Sequence, residues 1–117
     1  MTLLVDERPD GTVLISWSER AVLDASNADE LRRRVGEVEA RCARLIFDMS
    51  WVEFVDSAII GALVGFLRRT RAAGGDTKLV GLTPDVETIF EVTRLQRVFG
   101  VHPSVDAAVR DFGTDRS

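Results

Sequence analysis

The chain has 117 residues, enough for one domain with a single core, and its 45% hydrophobic and 29% charged content is ordinary for a globular protein. A net charge of −4 and a pI near 5.0 lack the basic excess of a nucleic-acid binder. The single cysteine, Cys42, excludes an intrachain disulfide and a cysteine-based metal site, and the single histidine, His102, builds no zinc site without converging carboxylates.

Leu3-Leu4-Val5 reads as a short strand, Pro9-Asp10-Gly11 as a turn, and Thr12 to Trp17 as a second strand, together an antiparallel hairpin. The period then changes. Ala28, Leu31, Val35, Val38 and Cys42 fall three and four apart, one face of a helix, with Ser26 and Asp29 placed as a capping box. Arg44 to Met49 carries a continuous apolar run, the pattern of a strand buried on both faces. A loop through Trp51 and Phe54 leads into a helix that starts at Ser57 and stops at Gly74-Gly75. Thr77 to Gly81 is another buried strand. Thr83-Pro84-Asp85 starts the next helix, whose inward stripe is Val86, Ile89, Phe90 and Thr93. Val98 to Val101 reads as a short strand. Ser104 caps a last helix with Val105, Ala108, Val109 and Phe112 inward.

Strands separated by helices imply parallel pairing by right-handed crossovers. The expected fold is therefore α/β: a mixed sheet, mostly parallel, with an antiparallel N-terminal edge hairpin and about four helices. One domain is expected over residues 3–112, with a frayed tail at 113–117. The longest apolar run, Ala58 to Leu67, falls short of a membrane span, and Leu3-Leu4-Val5 is too short for a secretory h-region. The expected compartment is the cytoplasm. Gly61 and Gly65 fit close packing of their helix on the sheet. The clusters Arg32-Arg33-Arg34 and Arg68-Arg69 with Arg71 read as solvated helix faces with acids nearby, and Cys42 as a small buried filler.

Chemistry concentrates at Asp56-Ser57. In an open α/β sheet function gathers beyond the carboxyl ends of the strands, and a helix N-terminus there holds an anion on its free amides. Asp24, in the loop after the second strand, is an expected neighbour of Asp56 and Ser57. Taken alone, the dipeptide reads first as a plain helix cap. A Ser57–His102–Asp hydrolase lacks the Gly-x-Ser-x-Gly elbow, and no Gly-x-x-x-x-Gly-Lys loop exists for a nucleotide. No catalytic, metal or cofactor site is expected.

An ordered set of segments resembles the STAS domain of bacterial anti-sigma factor antagonists over nearly the whole chain. It comprises Leu23-Asp24 followed by Ala28 and Leu31, then Leu45 to Met49 and Phe54-Val55-Asp56-Ser57. Gly61, Leu63 and Gly65 follow, then Gly74-Gly75, Leu82 to Val86 with Ile89-Phe90, and Thr93-Arg94-Leu95. The resemblance implies a non-enzymatic, phosphorylation-controlled binding module. Its partners would be an anti-sigma factor that is also a serine kinase and a metal-dependent serine phosphatase, with no nucleic acid and no membrane insertion; weak homodimerisation stays open. The implied phosphoacceptor is Ser57, and the implied partner-binding residues are Asp24, Asp56, Ser57, Ala58 and Ile59. Where the family reads Asp-Ser-Ser/Thr-Gly-Leu, this chain reads Asp56-Ser57-Ala58-Ile59-Ile60. Bulky Ile59 replaces a glycine that leaves room for another backbone. A non-glycine residue at this position also occurs in stressosome STAS scaffolds. Such a scaffold, or an accessory subunit of a lipid transporter, is the alternative. Ile60 is expected to pack on the sheet.

Overall fold

The structure, a computed structural model, describes residues 2–114. In chain order the elements are β1 (Leu3–Glu7), β2 (Val13–Trp17), β3 (Ala21–Leu23), α1 (Ala25–Glu39), β4 (Arg44–Asp48), β5 (Val52–Val55), α2 (Ser57–Ala72), β6 (Asp76–Val80), α3 (Pro84–Val92), a 3-10 turn (Leu95–Arg97), β7 (Gly100–His102) and α4 (Val105–Thr114). Five strands form one sheet in the order β1-β2-β4-β6-β7. β1 is antiparallel to β2, and every other pair in that sheet is parallel. The expected α/β mixed sheet with its N-terminal edge hairpin and four helices is the observed fold.

The central strands separate two cores by the alternation of their side chains. Val13, Ile15, Leu45, Phe47 and Leu79 face the larger one, which α1, α2 and α3 close with Val35, Ile59, Phe66 and Phe90 among others. Phe47 and Phe66 stack there with centroids 5.8 Å apart. Ile46 and Val80 face the other way, under Ala108 and Phe112 of α4. Burying such side chains contributes roughly 1.5–3 kcal/mol each. Lys78 shares the α4 face and is 2% exposed. Its ammonium meets the Asp111 carboxylate at 2.5 Å and Asp76 at 3.4 Å, and lies 4.7 Å from the Phe112 ring centre. His102 Nε2 stands 3.2 Å from the same Asp111 oxygen. The Lys78 ammonium foremost holds the Asp111 carboxyl below the usual carboxylate range.

Several expectations are corrected. The segment read as a loop through Trp51 and Phe54 contains β5, and the stretch after Trp17 contains β3. The two pair in parallel as a separate small sheet. Each has only three or four residues, too few to express an alternation against loop background. α1 is capped by Asp24, not Ser26. The Asp24 carboxylate accepts from the Ser26 amide at 2.9 Å, and Asn27 Oδ1 accepts from the Asp24 amide at 2.9 Å. Residues 98–99 precede the last strand, because Phe99 turns in against Phe90, 5.9 Å between centroids. Thr93 is exposed rather than inward. α4 runs on through Gly113 to Thr114, and residues 115–117 of the expected tail lie outside the described residues.

The two glycines of α2 are also reassigned. The buried side of α2 is Ile59, Ala62, Leu63, Phe66, Leu67 and Thr70. A Cβ on Gly61 would meet nothing within 4 Å, and one on Gly65 would meet only the Arg69 guanidinium. Close approach belongs instead to Gly75, where a Cβ would sit 1.9 Å from the Ala43 carbonyl oxygen. The arginine clusters are paired: Arg32 with Asp29, Arg33 with Glu37, Arg69 with Glu39 and Arg71 with Asp76. Cys42 is half-buried, its Sγ 3.1 Å from the Gly11 carbonyl oxygen.

Two outcomes are expected in denaturant unfolding. Gly61→Ala stabilises the fold by up to about 1 kcal/mol by removing the helix-interior glycine penalty, whereas Gly75→Ala destabilises it by about 2 kcal/mol or more through backbone overlap. The Asp111 carboxyl, depressed in the fold, contributes stability that is complete above the ordinary carboxylate value near about pH 4 and is lost as pH falls through its lower folded value. Asp111→Asn is therefore expected to cost about 1 kcal/mol at neutral pH, screened because that side chain keeps 37% exposure, and to converge on wild type in acid.

Candidate functional site

The small β3–β5 sheet delivers two helix starts to one place. Leu23 ends β3 and Asp24 follows as the cap of α1; Val55 ends β5 and Asp56 follows as the cap of α2. The parallel register pairs Leu23 with Val55, so the caps emerge side by side. Both have extended backbones, at φ −143° and −103°, the geometry that turns a strand end into a helix start. The Asp56 amide donates to the Leu23 carbonyl at 3.1 Å and closes the junction.

Asp56 holds both helices. Its Oδ1 accepts from the Ile59 amide at 3.1 Å within α2, and its Oδ2 accepts from the Ala25 amide at 3.0 Å at the start of α1. Asp24 Oδ1 accepts from the Ser26 amide at 2.9 Å and from the Ser26 hydroxyl at 2.5 Å. The hydroxyl foremost, then the amide, hold the Asp24 carboxyl below the ordinary carboxylate range. Arg32 Nη2 reaches the Ala58 carbonyl at 3.4 Å and ties the two helices again. The positive ends of two helix dipoles thus meet at two carboxylates.

Ser57 is exposed at the first position of α2, beside half-buried Asp56 and Ala58. The structure brings Asp24, Asp56, Ser57 and Ala58 together. It does not bring Ile59 to the surface: Ile59 is 0% exposed and belongs to the main core. Its expected place in a partner-binding face is corrected, since only its amide reaches the junction. The residue that replaces the family glycine is absorbed inward. Ile60 is half-buried against the core. His102 is separated from Ser57 by the sheet: it stands by Asp111 of α4, while α2 packs on the opposite face. Among the described residues, no group of three or more His, Cys, Asp or Glu side chains converges as a metal site. No helix among them is long and apolar enough to cross a membrane.

Sequence reasoning missed the surface next to the junction. Val22 and Phe54 face each other across β3 and β5 and are 48% and 45% exposed, and Trp51 just before β5 is 50% exposed. Two shallow grooves adjoin it, one lined by Arg20, Ser50, Trp51, Glu53 and Thr83, the other by Glu53, Thr83, Pro84 and Asp85. The available signal was the alternation Ala21-Val22-Leu23, with only the outer pair buried.

The double cap has a measurable cost. Asp56→Ala is expected to destabilise the protein by about 2 kcal/mol in urea unfolding, and Asp24→Ala by less. Asp56→Asn, with one oxygen for two helices, should fall between wild type and Asp56→Ala.

The STAS domain family model matches residues 6–108. A Mycobacterium tuberculosis protein, Rv2638, named as a candidate anti-anti-sigma factor, is 30% identical over 108 residues, covering 77% of this chain and 73% of its own. A crystal structure of a candidate anti-sigma factor antagonist from Thermotoga maritima superposes with TM-score 0.85 at 21% identity, covering 94% of this chain and 93% of that one. The Bacillus cell fate determinant SpoIIAA, in its phosphorylated form, superposes with TM-score 0.71 at 20% identity, covering 93% and 98%. With a family model spanning nearly all of the described fold, and with the two-helix junction at the end of its small sheet, the chain belongs to the STAS domain family.

Proposed function

We propose that this protein is an anti-sigma factor antagonist in which Ser57 is the phosphoacceptor and the unphosphorylated form captures an anti-sigma factor serine kinase. The observation that carries this reading is the exposure of Ser57 at the first position of α2, against the Asp24–Asp56 junction. The names of Rv2638 and the Thermotoga protein, and a phosphorylated SpoIIAA structure, support it.

The physics of the switch lies in the change of charge. Phosphorylation adds about −1.5 to −2 charges and three acceptor oxygens at a helix start. The dipole favours such an anion by about 0.3–1 kcal/mol on an exposed helix end, while Asp56 next to it opposes it. The fold therefore tolerates the modification. A docked kinase does not, because a bulky anion appears where surfaces meet, and repulsion or an unpaired buried charge there costs several kcal/mol. Neither Asp24 nor Asp56 acts as a base: both oxygens of Asp56 are engaged in capping, and phosphoryl transfer belongs to the kinase. A metal-dependent serine phosphatase would restore the hydroxyl.

Incubation with an anti-sigma factor serine kinase and ATP is expected to place phosphate on Ser57 alone, read by mass spectrometry. Ser57→Asp should weaken kinase binding by about 30-fold or more while shifting Tm by only a few degrees. Phosphate on another residue, or Ser57→Asp binding as wild type, overturns the switch and favours a scaffold role.

A further inference from the structure

The outer face of the β3–β5 sheet is open and apolar, although parallel strands are ordinarily covered on both faces. Ala21, Leu23, Val52 and Val55 are buried against the main core. On the open side stand Val22 and Phe54, registered partners, with exposed Trp51 immediately before β5; the Trp51 carbonyl accepts from the Ala21 amide at 2.8 Å. Phe54 precedes Ser57 by three residues and Val22 precedes Asp24 by two, so the apolar strip runs into the helix junction.

From this we infer that Val22, Trp51 and Phe54 form the apolar anchor for the anti-sigma factor kinase that docks on Ser57, and that the kinase meets it with an apolar protrusion inside a basic rim. The inference rests on the proposed function and names the chemistry of its partner. Size supports one continuous footprint. A standard interface covers about 800 Å² per partner, a disc of about 16 Å radius. Three residues of chain span at most about 11 Å, so exposed Phe54 lies within the footprint radius of a protein centred on Ser57.

Charge gives the complement. Asp24, Asp29, Glu53, Asp56 and Asp85 ring the strip and the junction. Arg20 pairs with Glu53 at 3.2 Å and Arg32 with Asp29 at 3.6 Å, so these pairs cancel and the net negative charge comes from Asp24, Asp56 and Asp85. The surface offered outward is an apolar centre with an acidic surround. Its energetic logic follows that of interface hot spots, in which a few large side chains carry most of the affinity. The strip supplies binding that phosphate does not touch directly, and Ser57 supplies the control.

The test uses the full chain and each purified anti-sigma factor serine kinase of the host bacterium in turn. The double variant V22S/F54S, with Trp51→Ser as a second probe, alters exposed side chains, and thermal melts check that the fold is kept. Leu4→Ser, an equally exposed apolar residue on the edge strand β1, is the control. Expected for the strip variants are binding weakened by about 30-fold or more and Ser57 phosphorylation with raised KM and unchanged kcat, with Leu4→Ser within about twofold of wild type. Strip variants that bind within twofold while Ser57→Asp abolishes binding overturn the anchor and leave the switch standing. Strip variants that lose binding while Ser57→Asp binds normally sustain the anchor and overturn the switch. A wild-type dimer that the strip substitutions dissociate, with kinase affinity unaffected, assigns the strip to a second copy and overturns the inference. Failure of wild type to bind any of the kinases overturns both.

Discussion

One carboxylate holds the two helix starts of the candidate site together. Asp56 gives one oxygen to its own helix and the other to the first amide of α1. Each helix start carries unsatisfied amides and a partial positive charge, and two such ends in close proximity repel unless an anion lies between them. The side chain of Asp56 is that anion, and Asp24 adds a second carboxylate on the α1 side. This explains why Ser57 is presented at a rigid position: its neighbour in sequence is fixed by bonds to two separate elements.

The sheet system explains where that end lies. β4 and β6 carry the core, buried on both faces, and their loops can only leave at the ends. The small β3–β5 sheet is a separate ledge beside them, joined to α3 where Thr83 Oγ donates to the Val52 carbonyl at 2.7 Å. It is long enough to fix the register of the two caps and short enough to leave its outer face open. α4 covers the other face of the main sheet, far in topology from the junction, and is tied there by Lys78 and Asp111. Acid sensitivity of that contact and the phosphate chemistry proposed for Ser57 are thus separated by the sheet.

Much of this was legible in the residues. Long apolar periods specify their own elements, and α1, α2, β2, β4 and β6 lie where those periods place them, because burial dominates the free energy there. The positions of Asp56 and Ser57 at a helix start followed from capping chemistry, whereas Asp24, read as a loop residue beside them, caps α1 in place of Ser26. What stayed hidden depended on contacts between distant segments. β3 and β5 are strands because they find each other, not because either has a sufficient pattern. Asp56 bonds Ala25 across 31 positions, a pairing no local rule contains. Ile59 was ambiguous because a helix start exposes or buries its third residue according to the angle at which the helix meets the sheet. Gly61 and Gly65 misled because their spacing suits close packing, yet the true inward stripe lies to either side of them.

The central claim is that the Asp56 double cap lets the start of α2 accept a new negative charge while the fold stays intact. The most direct measurement is amide hydrogen exchange at Ala25 and Ile59 in the full chain carrying phosphoserine at position 57, compared with the unmodified protein. Protection at both amides that changes by no more than a few-fold is expected. Loss of protection at both, with α1 and α2 fraying from their starts, would contradict it and make phosphorylation an unfolding event rather than a change of surface.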